Sequence, residues 1–324
     1  MFTFRTWIAV TLSLMVAGGE AAAQSWPSRP IRFVVPLPPG GSPDYLSRLL
    51  SERLQPVLGQ PLVVENKPGG GGAIAREYVA RQTADGYTLL MTESSHVLSA
   101  AIGSKLPYDP IRDFEPIVLA AAIPFVLAVN SNTPARTLNE FIAYAKGAPK
   151  PLTYGTAGVG APHHIAAELL RSMTGIDIVH VPYKGSAGIV PALLSGEIDF
   201  TIGAVNSLLP HFRSGKLRVV AVSGSARTAI LPDAPTIAEA GPLPGYAVDI
   251  WLGVTGPAGT PRPIVERLNA EINRIVRDPE IVKERFAPVG LEPIGSTPEQ
   301  FLAVMKSDLA KYAKVARDAK IKPE

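Results

Sequence analysis

The residues best suited to chemistry in this sequence are glycines that stand between a strand pattern and a helix pattern. In the stretch Pro38-Pro39-Gly40-Gly41-Ser42-Pro43-Asp44, Gly40 and Gly41 carry no Cβ, so a ligand can approach their amides closely. Ser42 is a good N-cap, and Pro43 fits the first position of a helix. Unpaired N–H groups and the positive end of the helix dipole then favour an anion. The stretch therefore predicts an anion site, although a single turn of this kind is also typical of an ordinary strand-to-helix connection.

The same order of strand, glycine turn and helix recurs twice, which strengthens the prediction. Around the first turn, residues 31–35 are apolar and residues 45–58 place leucines at helical spacing. The second turn is Asn66-Lys67-Pro68-Gly69-Gly70-Gly71-Gly72, and the third is Gly155-Thr156-Ala157-Gly158-Val159-Gly160-Ala161-Pro162. Strand and helix patterns also alternate elsewhere in the chain. This alternation predicts an α/β fold in which mainly parallel sheets are flanked by helices.

Polar residues after another strand pattern extend the candidate site. A strand at residues 87–91 is followed by Thr92, Ser94, Ser95 and His96. Open α/β sheets place their ligands at the carboxyl ends of the strands, so these hydroxyls and this imidazole are candidates. Capping of the next helix by Ser94 or Ser95 explains the same residues equally well.

Three charged residues near the predicted turns have open roles. Lys184 follows a strand pattern at 176–181 and is either a direct carboxylate partner or a solvated lysine. Asp44 complements the dipole of its own helix, but a carboxylate beside an anion pocket repels any ligand without an amine or hydroxyl donor. Asp199 lies in a strand pattern at 198–202, and nothing in the spacing pairs it with Asp44 as in a glycosidase.

Composition and motifs argue against several classes of protein. The chain has 324 residues, of which 46% are hydrophobic, and no cysteine. It can therefore form a large core, and it has no thiolate metal site or cysteine nucleophile. A net charge of +3 without a basic run argues against a nucleic-acid partner. Because no Gly-x-Ser-x-Gly, His-Glu-x-x-His or P-loop motif occurs either, we expect no cofactor, no metal and no catalytic residues.

The first 23 residues have the pattern of a secretory signal peptide. Arg5 supplies the positive charge, residues 7–17 form a short apolar run, and the alanines at 21–23 suit the cleavage point. The apolar run is short for a membrane span, although an N-terminal membrane anchor is the alternative. The mature chain is therefore predicted to begin near Gln24 and to be exported and soluble.

Seven short motifs occur along the chain in an order typical of one family. They are Pro38-Pro39-Gly40-Gly41-Ser42-Pro43-Asp44, Glu65-Asn66-Lys67-Pro68-Gly69, Tyr154-Gly155-Thr156-Ala157-Gly158-Val159-Gly160, Val181-Pro182-Tyr183-Lys184-Gly185, Gly196-Glu197-Ile198-Asp199, Pro235-Thr236-Ile237-Ala238-Glu239-Ala240-Gly241 and Pro257-Ala258-Gly259-Thr260-Pro261. Each motif alone is weak, but the ordered set covers essentially the whole mature chain. It resembles the Bug-type (TctC-like) receptors, which are the extracytoplasmic solute receptors of tripartite tricarboxylate transporters.

The resemblance implies a two-lobed periplasmic binding protein, type II-like, in which two strands cross between the lobes near residues 125–130 and 248–254. Residues 24–124 and 251–324 then form lobe 1, and residues 125–250 form the inserted lobe 2. In this family, loop amides and waters, rather than an arginine, commonly hold the carboxylates. The helix after Gly160 commonly starts with serine or threonine and here starts Ala161-Pro162, which removes one hydroxyl contact to the distal end of the ligand.

The resemblance also implies a function and a set of ligand contacts. We expect a monomeric periplasmic solute-binding protein, not an enzyme, that captures a small organic mono- or dicarboxylate between its lobes for the membrane subunits of a tripartite transporter. The alternatives are a ligand-sensing subunit that signals to a membrane kinase and a periplasmic enzyme on the same scaffold. The expected ligand-binding residues are Pro39, Gly40, Gly41, Ser42, Asp44, Gly72, Thr92, Ser94, Ser95, Thr156, Gly158, Val159, Gly160, Ala161, Lys184 and Asp199.

Overall fold

The structure is a computed structural model that describes residues 26–183, 186–318 and 320–321. The predicted signal peptide and Lys184 therefore lie outside the described residues. The strands are β1 (Ile31–Val35), β2 (Leu62–Asn66), β3 (Thr88–Glu93), β4 (Phe114–Ile123), β5 (Phe125–Asn130), β6 (Leu152–Thr156), β7 (Ile178–Pro182), β8 (Phe200–Ala204), β9 (Leu217–Val222), β10 (Ile250–Pro257) and β11 (Glu292–Pro293).

Helices connect most of these strands. They are α1 (Ser42–Leu58), α2 (Ala73–Ala80), α3 (Ser95–Ala101), α4 (Leu138–Gly147), α5 (Pro162–Thr174), α6 (Ser186–Ser195), α7 (Val205–Arg213), α8 (Ile237–Ala240), α9 (Arg262–Val276), α10 (Pro279–Ile281) and α11 (Pro298–Asp318). Shorter turns of helix lie at Gly70–Gly72, Val282–Phe286 and Ala287–Val289. None of the described helices has both the length and the apolar composition that a bilayer span requires.

The first lobe is built on a six-stranded sheet with the order β11-β4-β10-β3-β1-β2. Strand β1 runs parallel to β2 and β3, so Val34 lies beside both Glu65 and Leu90. Strands β10 and β11 run antiparallel to their neighbours. The carboxyl ends of β1, β2 and β3 therefore meet at one edge of this sheet.

The second lobe is built on a five-stranded sheet with the order β7-β6-β8-β5-β9. Strand β6 runs parallel to β7 and β8, whereas β5 runs antiparallel to β8 and β9. The carboxyl ends of β6, β7 and β8 therefore also meet at one edge.

Both sheets are mixed, whereas the sequence predicts mainly parallel sheets. The difference comes from the two strands with which the chain enters a lobe. Strand β5 begins at Phe125 beside Ala204, which ends β8, and Leu252 near the start of β10 lies beside Glu93, which ends β3. A strand that enters at the edge where parallel strands end runs antiparallel to them. The two-lobed α/β fold is as predicted, and the lobe boundaries at 124/125 and 250/251 stay a prediction.

The helices bury the faces that their sequence patterns predict. In α1, Leu46, Leu49, Leu50 and Leu54 are buried at helical spacing against the first sheet, and a left-handed Gly59 ends the helix. These leucines fix α1 on the sheet, so the start of the helix and the preceding turn have a defined position.

Candidate ligand-binding crevice

The two sheet edges where parallel strands end face each other across a crevice between the lobes. Asn206, in the first turn of α7, donates from Nδ2 to Oγ of Ser42, the first residue of α1, over 3.1 Å. On the same edges, a Cβ added to Gly160 would lie 2.3 Å from Cδ1 of Ile102, which follows α3. Contacts from two different positions therefore bring the turns of the first and second lobes together. Ligands of open α/β sheets bind at such carboxyl edges.

The turn before α1 presents free backbone amides. Gly40 has a φ of +94°, which favours glycine, whereas Gly41 is extended with a φ of −82°. Helix α1 begins at Ser42, so Gly41 occupies the N-cap position and no side chain caps the helix. Within the described residues, the amides of Gly41, Ser42 and Asp44 bond no protein acceptor.

Ser42 does not have the capping role that its residue type predicts. An N-cap residue lies outside the helix with extended backbone, and this position belongs to Gly41. The Ser42 hydroxyl instead accepts the hydrogen bond from Asn206 of the second lobe. The prediction failed because the sequence does not show which of two adjacent residues takes the first helical backbone angles.

Asp44 holds the first turn through four hydrogen bonds. Its carboxylate accepts from the amide of Gly40 at 3.1 Å, from Nε and Nη2 of Arg48 at 3.0 Å each, and from Nδ2 of Asn66 at 3.0 Å. Burial alone would raise the pKa of Asp44, but the bonds from Arg48, Gly40 and Asn66 outweigh it and lower that pKa. The negative charge is thus matched inside the protein, and Asp44 shapes the turn rather than offering a free carboxylate to a ligand.

The second turn consists of four glycines with positive φ. Gly69, Gly70, Gly71 and Gly72 have φ values of 131°, 56°, 60° and 92°, a run that other residues rarely adopt. A Cβ on Gly72 would lie 2.9 Å from Nη2 of Arg76. The same Cβ would lie 3.1 Å from the Cβ of Pro36, which leads from β1 into the first turn.

The hydroxyl candidates at the end of β3 are buried or hydrogen-bonded within the protein. Thr92 and Ser94 are fully buried, and Ser94 bonds Trp251 of β10 through both its Oγ and its amide. The Oγ and the amide of Ser95 donate to Glu93 over 2.5 and 2.7 Å. Thr92 and Ser94 therefore belong to the core, and Ser95 to the network under the second turn. A strand end alone does not reveal which side chains turn inward.

His96 is likewise a core residue. Its Nε2 lies 2.8 Å from the carbonyl oxygen of Pro110, and its ring stacks on Tyr108 with centroids 6.1 Å apart. Complete burial, together with the charge of Arg76, lowers the pKa of His96 to about 3. The imidazole is therefore neutral at physiological pH.

The turn of the second lobe is held by neutral groups. The amide of Gly158 donates to Oγ1 of Thr156 over 3.1 Å, and the amide of Gly160 donates to Nδ1 of His164 over 3.0 Å. Oγ1 of Thr156 lies 2.5 Å from Nε2 of His180. The rings of His164 and His180 stack with centroids 4.3 Å apart and an angle of 11°.

His164 accepts a hydrogen bond only while its Nδ1 is unprotonated. Burial and the neighbouring His180 lower the pKa of His164 to about 4, so Nδ1 is free to accept at neutral pH. Its neighbour His163 packs its ring on Phe125 with centroids 4.8 Å apart, and burial lowers its pKa to about 4 as well. His163 is therefore a packing residue, whereas His164 shapes the turn.

Helix α5 begins at this turn without a side-chain cap. Ala161 is the N-cap residue, and Pro162 opens the helix. Within the described residues, the amides of Val159 and His163 bond no protein acceptor. By contrast, α4 begins at the opposite edge of the same sheet, where Thr137 and Glu140 form a capping box. The uncapped starts of α1 and α5 thus both open on the crevice.

Asp199 lies at the far edge of the second sheet from the crevice. Its Oδ2 accepts from the amide and the hydroxyl of Thr153 over 2.7 and 2.9 Å. Thr153 is near the amino end of β6, whereas the turn at 157–161 follows the carboxyl end of that strand. Asp199 directly precedes β8, so it lies at the other edge of the second sheet.

A cavity of about 290 Å³ lies between the lobes beside the first turn. Its lining includes Gly41, Ser42, Tyr45, Asn206 and Arg213. A larger cavity of about 740 Å³ runs along β9, away from the turns, and we give it no part in the site. Within the described ranges, no cluster of three or more His, Asp or Glu side chains could hold a metal ion.

Three residues of this crevice are absent from the sequence-based set: Arg76, His164 and Asn206. Arg76 is 0% exposed and bonds Glu93, and Asn206 bonds a residue 164 positions away. A signal for Arg76 was present, because it shares the buried face of α2 with Ala75 and Val79. A charged residue on such a face needs a buried partner.

Comparisons with known proteins relate the chain to one family. A family model described as "Tripartite tricarboxylate transporter family receptor" matches residues 46–320. Protein BugT of Bordetella pertussis is 35% identical over 319 residues, which are 97% of each chain. An R. palustris protein solved with adipate is 36% identical with a TM-score of 0.82, over 92% of this chain and 100% of that one. MatC from Rhodopseudomonas palustris, solved with bound malate, is 31% identical with a TM-score of 0.77, over 90% of this chain and 99% of that one.

Proposed function

Because the chain belongs to the family of tripartite tricarboxylate transporter receptors, the Bug-type receptors, we propose that it captures a small organic carboxylate between its lobes for such a transporter. The adipate and malate in two similar structures support a carboxylate as the ligand class. The export signal in the sequence supports a periplasmic location. Lobe 1 is then formed by residues 24–124 and 251–324, and lobe 2 by residues 125–250.

One observation carries this proposal: the uncapped starts of α1 and α5 open on the same crevice from opposite lobes. A carboxylate that leaves water loses several kcal/mol of hydration, which the site has to replace. Two or three charge-assisted amide hydrogen bonds, each about 1.5–3 kcal/mol, supply an amount of that size. Asp44 and Glu93 are each paired with an arginine, so neither opposes the anion.

We place one carboxylate of the ligand at the amides of Gly41 and Ser42 and the opposite end at the amide of Val159. Pro39, Gly40 and Gly72 shape the first lobe's side of this site, and Thr156, Gly158, Gly160 and Ala161 shape the second lobe's side. Asn206 closes the site next to Ser42. Lys184 remains a candidate partner of a ligand carboxylate. Thr92, Ser94 and Asp199 have no contact with the ligand in this arrangement.

Calorimetry on folded variants tests whether the backbone holds the anion. Gly41→Val places a branched side chain where the ligand approaches, while the protein itself leaves room, because the nearest atom to a Cβ is Cδ of Pro43 at 3.6 Å. We expect this variant to bind far more weakly than the wild type. Lys184→Ala should lose at most about tenfold in affinity, or about 1.4 kcal/mol.

Gly147→Ala is the matched control, because it adds a Cβ to open space at the end of α4. It should bind like the wild type. A larger loss for Lys184→Ala than for Gly41→Val would contradict backbone capture and indicate a lysine-anchored site.

The capture mechanism requires that the lobes close on the ligand. A ligand favours the closed form only through its differential affinity for it. X-ray scattering of protein stripped of co-purified ligand should show a smaller radius of gyration when ligand is added. No compaction at saturation would count against closure.

The identity of the ligand and the role of the chain outside transport have direct tests. Mass spectrometry should detect an organic acid released from natively purified protein. Turnover assays on that acid should show no product if the chain is a receptor and not an enzyme. Light scattering should give a monomer. A pull-down that recovers a membrane kinase instead of transporter subunits would favour the sensor alternative.

A further inference from the structure

A buried arginine–carboxylate pair lies directly under the four-glycine turn of the first lobe. Arg76 is 0% exposed and Glu93 is 6% exposed. Arg76 donates from Nη2 to Oε1 of Glu93 and, over 2.6 Å, to Oγ of Ser95. It also donates from Nη1 to the carbonyl oxygen of Gly71 over 3.0 Å. The guanidinium thus joins the turn to the end of β3.

Arg76 and Glu93 bring two opposite charges together under the four-glycine turn. His96 on α3 and Tyr108 on the following loop are the other titratable groups that face it. Burial lowers the pKa of His96 and raises the pKa of Tyr108, so both groups are neutral at physiological pH. The charges of Arg76 and Glu93 therefore compensate each other.

We propose that Arg76 is a positioning residue of the ligand site, which orders the Gly69–Gly72 turn through the Gly71 carbonyl and cancels the charge of Glu93 so that an anion can bind beside it. This inference rests on the proposed capture of a carboxylate. Two contacts link the pair to that site: Gly72 lies against both Arg76 and Pro36, and Pro36 leads from β1 into the first turn. A buried charge without its partner would act on a neighbouring anion through a medium of low dielectric constant.

The decisive variant is Arg76→Met, which keeps the apolar part of the side chain and removes the charge. Glu93 then stays as an uncompensated carboxylate next to the anion. We expect affinity at pH 7.5 to fall at least tenfold and to recover as the pH is lowered to 5, because a buried carboxylate that has lost its cationic partner takes up a proton more readily. The double variant Arg76→Met/Glu93→Gln should bind more tightly than Arg76→Met at pH 7.5 and show no such recovery.

The double variant also protects the test against simple misfolding. Replacement of a buried ion pair by neutral groups of similar volume is often tolerated, whereas removal of one partner is destabilising. If Arg76→Met is too unstable at pH 7.5 for calorimetry, thermal unfolding without ligand provides a second readout. The Arg76→Met variant should then gain stability relative to the double variant as the pH falls from 7.5 to 5.

The measurement is calorimetric titration with adipate and with malate at pH 7.5 and pH 5. The wild type corrects for titration of the ligand itself, and Arg262→Met, in an exposed pair with Glu266, controls for loss of one positive charge. Wild-type protein that binds neither these acids nor any acid it co-purifies with would contradict the proposed function. Wild-type binding combined with equal, pH-independent losses in the single and double Arg76 variants would overturn the charge role of Arg76.

Discussion

On the first lobe, the turns at the crevice are held by two arginine–carboxylate pairs, Asp44 with Arg48 and Glu93 with Arg76. On the second lobe, the corresponding turn is held by a threonine and stacked imidazoles, with His164 accepting from the Gly160 amide. Both turns present free amides before an uncapped helix. The same backbone device is therefore stabilised by opposite charges on one side and by neutral groups on the other.

Because of this difference, the hydrogen bonds that hold the turns of the two lobes should break in different ranges of pH. A carboxylate paired with arginine keeps its bonds until it is protonated, and the lowered pKa of Asp44 moves this loss below the ordinary range of carboxyl groups. His164 loses its acceptor when Nδ1 takes a proton, which occurs near pH 4 in the folded protein. The second lobe's turn is thus the one that acid releases first.

The largest expected effect is a loss of stability in acid. The pKa values of His163 and His164 fall from 6.5 to about 4 on folding, so protons bind the unfolded chain first as the pH falls. The contribution of these histidines to the free energy of unfolding should therefore decrease between pH 6.5 and pH 4 and level off below that range. At about 1.4 kcal/mol per pKa unit, the two residues together account for several kcal/mol. Urea denaturation at pH 7 and pH 4.5 measures this.

His96 of the first lobe adds to the same trend, since its pKa is lowered to about 3. The contribution of the second lobe is separated with His164→Asn, whose side-chain oxygen can replace Nδ1 as an acceptor without titrating. A flatter stability profile in this variant would support the comparison, and an unchanged profile would break it.

The second effect is that of removing the imidazole from the second lobe's turn. His164→Ala leaves the buried amide of Gly160 without its acceptor, which costs about 1–3 kcal/mol. We expect the variant to bind its carboxylate at least fivefold more weakly, whereas His164→Asn should retain most of the affinity. Calorimetry at pH 7.5 on both variants measures the difference. Equal affinities for the two variants would mean that this hydrogen bond does not order the turn.

A third prediction compares the glycines of the two edges directly. Gly40→Ala adds a Cβ to open space at a φ of +94°, so only backbone strain of about 1–2 kcal/mol is expected. Gly160→Ala has the same type of strain at a φ of +73° and in addition displaces Ile102 of the opposite lobe. Its affinity should therefore fall further, and Gly160→Ala/Ile102→Ala should recover the additional part. If Ile102→Ala restores nothing, the lobes do not meet at this point.

The smallest effect is expected at the outer pair of the first lobe. The carboxylate of Asp44 is buried, but the side chain of Arg48 is 56% exposed, so solvent screens the pair and we expect it to contribute less than about 1 kcal/mol. Arg48→Met should change stability and affinity only slightly, because Gly40 and Asn66 still donate to Asp44. Thermal unfolding at low and high salt measures the change in stability. A loss of stability as large as that of Arg76→Met would mean that a buried and an exposed arginine contribute equally to their pairs.

Local patterns predicted the architecture of the crevice but not its network of side chains. The glycine turns before α1 and α5 follow from a strand run, glycines and a helix opened by proline, all of which lie within about ten residues. The buried partners do not, because Arg76 is 17 positions from Glu93 and Asn206 is 164 positions from Ser42. Such pairs depend on strand order and lobe contact, which periodicity does not encode.

The surroundings of Thr92, Ser94 and Asp199 were not readable from the sequence for the same reason. Thr92 and Ser94 stand at a strand end, but only the pairing of β10 beside β3 turns them into the core. Asp199 matches a family motif, yet the parallel pairing of β6 with β8 places it at the far edge of the sheet. The sequence shows where a residue stands along a strand. Which edge of the sheet that position faces depends on how the strands pair, and this pairing is known only from the structure.

The hydrogen bond from Asn206 to Ser42 joins the lobes through atoms of the receptor itself. It therefore lowers the free energy of the shape in which the two lobes meet, whether or not the crevice is filled. Each 1.4 kcal/mol from such a bond raises the share of empty closed receptors about tenfold. If a permease recognises the closed shape, empty closed receptors would compete with ligand-loaded receptors for binding to it. Under the proposed function, the strength of this single bond would set a compromise between capture from dilute solution and unproductive docking at the membrane.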